Sequence, residues 1–139
     1  MMVPISIVYQ GALRCTATHD NSGTQIITDA PVDNLGRGES FSPTDLVATA
    51  LGSCIITTMG IVAQKEGMDA VLDGTTIAIE KHMSRDVPRR IIRLVVKIEF
   101  PAGISTRYRQ RLNEIGETCP VAKSLHPEIQ LDISYNYPD

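Results

Sequence analysis

The sequence predicts an α+β chain, because short alternating runs toward both ends flank one long apolar helical stretch and turn chemistry separates the runs. Ile5 to Tyr9, Leu13 to Thr18 and Thr24 to Thr28 are β-branched or alternating. Gly11 and the run Asp20-Asn21-Ser22-Gly23 divide them, so they read as a three-stranded meander. Leu46 to Ala63 carries no charge at all. Beyond it, Thr75 to Met83 and Ile91 to Phe100 alternate again on either side of a turn at Ser84 to Pro88, as a hairpin does.

Between meander and helix, Asp29 to Ser42 is rich in turn formers and has no period, which makes it a loop longer than the usual connection. Ser42-Pro43-Thr44-Asp45 then starts a helix: Ser42 is the N-cap, Pro43 has its φ fixed for the first position, and Asp45 completes a capping-box-like arrangement. The helix is expected to run to about Glu66 and stop at Gly67, which tolerates the left-handed cap. Leu46, Val47, Leu51, Ile55, Ile56, Met59 and Val62 leave little polar face, so cover nearly all round is expected. Ala48, Ala50, Gly52, Ser53 and Gly60 admit another backbone closely. A single chain offers few elements to surround such a helix, and a partner subunit is expected to supply the missing cover. Thr49, Ser53, Thr57 and Thr58, with no flanking basic anchors, favour a buried helix over a membrane span.

After the hairpin, Ser105 is expected to cap a helix from about Thr106 to Glu117, with Tyr108, Leu112 and Ile115 at helical spacing. Pro120 breaks that pattern and opens a short helical turn to Leu125, and Ile129 to Tyr135 alternates as a final strand.

At 139 residues the chain is sized for one domain, 1–139, and 42% apolar with 21% charged residues is the balance of a folded globular protein. Lys and Arg number 13 against 16 Asp and Glu, and the net charge of −3 gives no footprint for nucleic acid or an anionic membrane surface. Met1 to Tyr9 lacks the basic and small-residue features of a secretion signal, so a cytoplasmic protein is expected.

Chemistry concentrates on thiols. The three cysteines, Cys15, Cys54 and Cys119, are an odd number set far apart, unlike a disulfide framework or the paired ligands of a zinc site. Cys15 alternates within a strand and reads as a residue of the sheet face. Cys54 lies mid-helix, where Gly52 and Ser53 thin the surface and are expected to open room for a substrate. Cys119 precedes Pro120 at the start of a short helix, whose free N–H groups and dipole are expected to lower its pKa, each unit being worth about 1.4 kcal/mol. Arg14 is the candidate cation for a thiolate, and Asp45 has a sufficient role as the capping residue. His19, His82 and His126 have no metal spacing, Gly36-Arg37-Gly38 is too weak a pattern for a nucleotide, and no cofactor is expected. Arg85, Arg89, Arg90 and Arg93 read as a solvated hairpin tip.

Phe41-Ser-Pro-Thr-Asp-Leu-Val-Ala-Thr-Ala-Leu-Gly-Ser-Cys54 and the later Cys119-Pro-Val-Ala-Lys-Ser-Leu-His126 resemble the OsmC/Ohr family of osmotically inducible and organic-hydroperoxide-resistance proteins, in the broader OsmC-like branch. The resemblance implies antiparallel sheets wrapped around two central helices in an intertwined homodimer. It implies a cysteine-based peroxidase that reduces organic hydroperoxides or hydrogen peroxide: Cys54 attacks the O–O bond, Cys119 resolves the sulfenate as a Cys54–Cys119 disulfide, and a dithiol or lipoyl-type reductant restores both thiols. The family's activating pair is an Arg, for which Arg14 is the nearest match and Arg37 a second candidate, and a Glu near the start of the helix. Here the Ohr-type Asn-Pro-Glu is Ser42-Pro43-Thr44, and Asp45 stands one position later, about 100° further round a helix. That departure motivates the alternative, a dimeric OsmC-fold protein that binds a small molecule or senses redox state without efficient turnover.

Overall fold

The computed structural model describes residues 1–139 as two compact units, Met1–Val47 and Ala48–Asp139. In the first, β1 (Ile5–Gly11), β2 (Arg14–His19) and β3 (Gln25–Asp29) form the expected antiparallel meander. The β1–β2 turn is tighter than Gly11 alone suggests. Ala12 (φ 52°) and Leu13 (φ 63°) both hold left-handed backbone, the conformation a two-residue hairpin needs to match strand twist, and Leu13 N–H donates to the Tyr9 hydroxyl at 3.2 Å. Arg14 follows that turn directly and pairs across the strands with Asp29.

The connection after β3 is not free of structure. It contains a single 3-10 turn at Val32–Asn34 and closes on itself, Gly36 N–H donating to Pro31 O at 3.0 Å and Gly38 N–H to Ala30 O at 3.1 Å. A Cβ on Gly36 would fall 1.8 Å from the Ala30 carbonyl oxygen, so this glycine is set by close backbone approach.

Helix α1 (Pro43–Lys65) begins as its sequence dictates: Ser42 N–H donates to Asp45 Oδ2 at 2.9 Å and Asp45 N–H donates to Ser42 Oγ at 3.1 Å, a reciprocal capping box. It ends as a Schellman motif. Gly67 sits at φ +65°, Met68 N–H donates to Ala63 O at 2.9 Å and Gly67 N–H to Gln64 O at 3.3 Å.

In the second unit, β4 (Thr76–Met83) and β5 (Ile91–Glu99) form the hairpin, and α2 (Thr106–Glu117) and α3 (Pro120–Ser124) lead to β6 (Gln130–Asn136). The expectation of wholly antiparallel sheets is corrected here. β6 pairs with β5 in parallel, Leu94 opposite Leu131 and Val96 opposite Ile133, because the α2–α3 crossover returns the chain to the end from which β5 began. Ser105 occupies the N-cap position of α2, yet its side chain makes no capping hydrogen bond; the first turn rests on Tyr108 N–H donating to the Ser105 carbonyl.

Leu51, Ile55 and Met59 of α1, Leu94, Val96 and Ile98 of β5 and Leu112 and Ile115 of α2 build one core. The expected all-round cover of α1 is not what one chain provides. The buried positions Ala48, Leu51, Gly52, Ile55, Met59 and Ala63 recur every three or four residues, while Thr49, Ser53, Thr57 and Ile61 stay exposed, since a single three-stranded sheet covers one face of a helix.

Gly52 serves that packing, not an opening for substrate: a Cβ there would stand 2.6 Å from Ile79 Cδ1 and 3.4 Å from Ile77 Cγ2. Gly52→Val is expected to cost about 1–3 kcal/mol by overpacking the helix against the sheet, read from denaturant midpoints. Ser42→Ala removes the N-cap acceptor and is expected to cost about 1 kcal/mol by the same measurement.

Candidate active site

Two sulfurs meet in the second unit. Cys54 sits on α1 one residue before the fully buried Ile55 and is itself half-buried, while Cys119 is 0% exposed within the core. They belong to one packed cluster, near enough for Cys54 to influence Cys119, and both are free thiols. Thr58, one turn along α1, places its hydroxyl 3.7 Å from the Cys54 sulfur. Ser53 is exposed and turns its hydroxyl back on its own helix, donating to Thr49 O at 2.7 Å, so it neither thins the helix nor faces the thiols.

Cys119 is the N-cap of α3, as its place before Pro120 dictates, and Ala122 N–H donates to its sulfur at 3.5 Å. The expected lowering of its pKa is overturned. Burial pushes the thiol up; the Ala122 N–H works against that, and the neighbouring Cys54 sulfur adds to the rise. A three-turn-or-longer helix concentrates more dipole than the five residues of α3, and two weakly donating N–H groups do not replace the water that burial removes. Cys119 therefore holds its proton beside Cys54 at neutral pH.

The charged candidates lie in the first unit. Arg14 donates to Glu39 Oε2 at 3.0 Å, and Glu39 N–H in turn donates to Asp29 Oδ2 at 3.0 Å. Asp29 is 1% exposed and its Oδ1 has no hydrogen-bond partner. Glu39 was not singled out by sequence. The signal lies in its place, an acid between the turn-rich loop and the helix cap, but the pairing needs β2 and the loop to fold together. Asp45 supplies the helix cap described above. Arg37 is exposed. An open cleft of about 410 Å³ is lined by Gly38, Glu39, Ser40, Phe41 and Asp45.

Cys15 lies on β2 opposite Tyr9 and Thr28. No group of three or more His, Cys, Asp or Glu side chains is placed to hold a metal ion. At the β4–β5 tip, Arg90 pairs with Asp86 at 2.9 Å.

The OsmC-like protein family model matches residues 36–134. A comparison with curated proteins finds no match. Among solved structures, a Psychrobacter arcticus protein named for osmotic stress induction and a detoxification response is 44% identical, with a TM-score of 0.86 over 96% of this chain and 95% of that one. An organic hydroperoxide resistance protein from Legionella pneumophila (12% identity, TM-score 0.74, 96% and 95% covered) and another from Elizabethkingia anophelis (17% identity, TM-score 0.69, 98% and 97% covered) share the fold. With a family pattern that spans both Cys54 and Cys119, and a fold shared along nearly the whole chain with a 44% identical relative, this chain belongs to the OsmC-like protein family.

Proposed function

We propose that the protein is a thiol peroxidase that reduces organic hydroperoxides, or hydrogen peroxide, to alcohols or water. The observation that carries this reading is the pairing of a half-buried sulfur, Cys54, with a fully buried, protonated one, Cys119, in one packed core. Two thiols of unequal access divide the work. The Cys54 thiolate attacks the distal oxygen of ROOH, the O–O bond breaks, and RO⁻ leaves to take a proton and become ROH. Cys54 is then a sulfenic acid. Cys119 attacks its sulfur, the S–O bond breaks, the Cys119 proton leaves with the hydroxyl as water, and a Cys54–Cys119 disulfide remains. A dithiol, lipoyl-type in the family this chain resembles, reduces that bond and is itself oxidised to its cyclic disulfide.

Arg14 takes the role the family resemblance gives it, a fixed positive charge for the reacting sulfur, and Glu39 holds the guanidinium's direction. Asp45 acts by fixing the start of the helix that carries Cys54. The protein works as a homodimer in the cytoplasm, where thiols stay reduced. Supporting the dimer are the exposed Thr49, Ser53, Thr57 and Ile61 face of α1 and a first sheet whose Ile5, Ile7, Val8, Tyr9, Ile26 and Ile27 are all exposed in the single chain.

Consumption of cumene hydroperoxide with dihydrolipoamide tests the reaction. Cys54→Ser is expected to lose turnover by about 100-fold or more, and Cys119→Ser to react once and stop at a Cys54 sulfenic acid that dimedone traps. Wild-type turnover by Cys54→Ser sinks the reading, and tight hydroperoxide binding without consumption by wild type replaces it with a binding protein.

The buried Cys119 thiol also sets a pH dependence. Its folded pKa lies above the unfolded value of about 8.5, so its contribution to stability is complete below that value and declines as pH rises toward the folded pKa. Subtracting the pH–stability curve of Cys119→Ser from that of wild type is expected to reveal a loss that begins above about pH 8.5; a flat difference contradicts the buried, protonated thiol.

A further inference from the structure

Tyr135 has no part in the reaction described so far. It stands near the end of β6, opposite Ile98, and its ring reaches back over the last turn of α2. Gly116 makes room for it: a Cβ there would fall 2.5 Å from the phenol oxygen and 3.0 Å from the ring carbon Cε1. The hydroxyl directs its proton toward two acceptors on that turn, the Asn113 carbonyl at 3.1 Å and Glu117 Oε1 at 3.0 Å. Burial, followed by the Glu117 carboxylate, pushes the phenol's pKa well above its ordinary range, so the hydroxyl remains a donor throughout the working pH range. Tyr137, from the same strand end, donates to Asn113 Oδ1 at 2.7 Å and stacks on Phe100 with ring centroids 4.1 Å apart.

The place of this clamp in the chain gives it meaning. Glu117 is the last residue of α2, Thr118 is its C-cap and Cys119 the N-cap of α3, so the thiol rides on the elbow between two helices. Forming a disulfide draws two neighbouring sulfurs to a bond of about 2.05 Å with a restricted dihedral, and an elbow free to wander lowers the fraction of time in which they are aligned.

We propose that Tyr135 is the positioning residue for Cys119: seated on Gly116 and bonded to Glu117, its hydroxyl fixes the end of α2 so that the elbow presents the Cys119 sulfur to Cys54. The proposal deepens the peroxidase reading and rests on its Cys54–Cys119 closure, but it does not require peroxide. Diamide tests it directly. One sulfur adds to the N=N bond, the other displaces the resulting hydrazine, both thiol protons pass to nitrogen, and diamide is reduced as the S–S bond forms.

The rate of closure is read by mass spectrometry of quenched samples from reduced wild type, Tyr135→Phe, Glu117→Ala and Glu117→Gln. Tyr135→Phe keeps the ring over Gly116 and loses the donor; Glu117→Ala loses the side-chain acceptor and leaves only the Asn113 carbonyl; Glu117→Gln retains a side-chain carbonyl to accept. Closure is expected to slow about tenfold in the first two and to stay within about twofold of wild type in the third, while iodoacetamide alkylates Cys54 at an unchanged rate in all. Closure at the wild-type rate in folded Tyr135→Phe overturns the proposal, as does a wild type that never closes the bond. Glu117 is exposed, so Glu117→Ala decides the matter by the same criterion if Tyr135→Phe does not fold. A wild type that closes with diamide and ignores peroxide removes the peroxidase reading and leaves this one standing.

Discussion

The stripe of Leu51, Ile55 and Met59 pressed into the inner face of the β4–β5–β6 sheet is the constraint on which the second unit depends. Each of these side chains is 0% exposed, and burial of that kind contributes about 1.5–3 kcal/mol apiece. Gly52, without a side chain, lets the helix settle onto Ile79, which fixes both the depth and the rotation of α1. With the rotation set, Cys54 falls at the flank of the stripe. It packs against the core that holds Cys119 and remains half-accessible.

That depth determines the electrostatics of the pair. A thiol at a helix N-terminus gains from N–H donors, but a thiol removed from water loses more, and for Cys119 the second effect wins. The same burial that keeps its proton in place also keeps solvent from it. Tyr135, Glu117 and Gly116 act on the other side of Cys119, holding the chain that delivers it. The two thiols are thus held from two directions, one by a packed helix and one by a clamped elbow.

The first unit shows a related economy of polar contacts. The loop after β3 folds onto itself through Gly36 and Gly38, and in doing so brings Glu39 to Arg14 and its own N–H to the buried Asp29. One backbone hydrogen bond and one ion pair therefore orient a guanidinium whose side chain is 30% exposed, where an ion pair gains more from fixing direction than from adding stability.

The chain's own letters determined the elements and their ends. Ser42 with Asp45 is a reciprocal cap that forms from neighbours in sequence, Gly67 takes a left-handed conformation that few other residues accept, and alternation in β4 and β5 follows from a sheet with one buried face. These are local effects, settled within a turn or a strand. Tertiary structure alone decided the parallel placement of β6, the face of α1 that is covered, the meeting of Arg14 with Glu39 and the upward shift of Cys119. Each of those depends on groups brought together from distant positions, and on how much water their meeting excludes, quantities that no window of neighbouring residues contains.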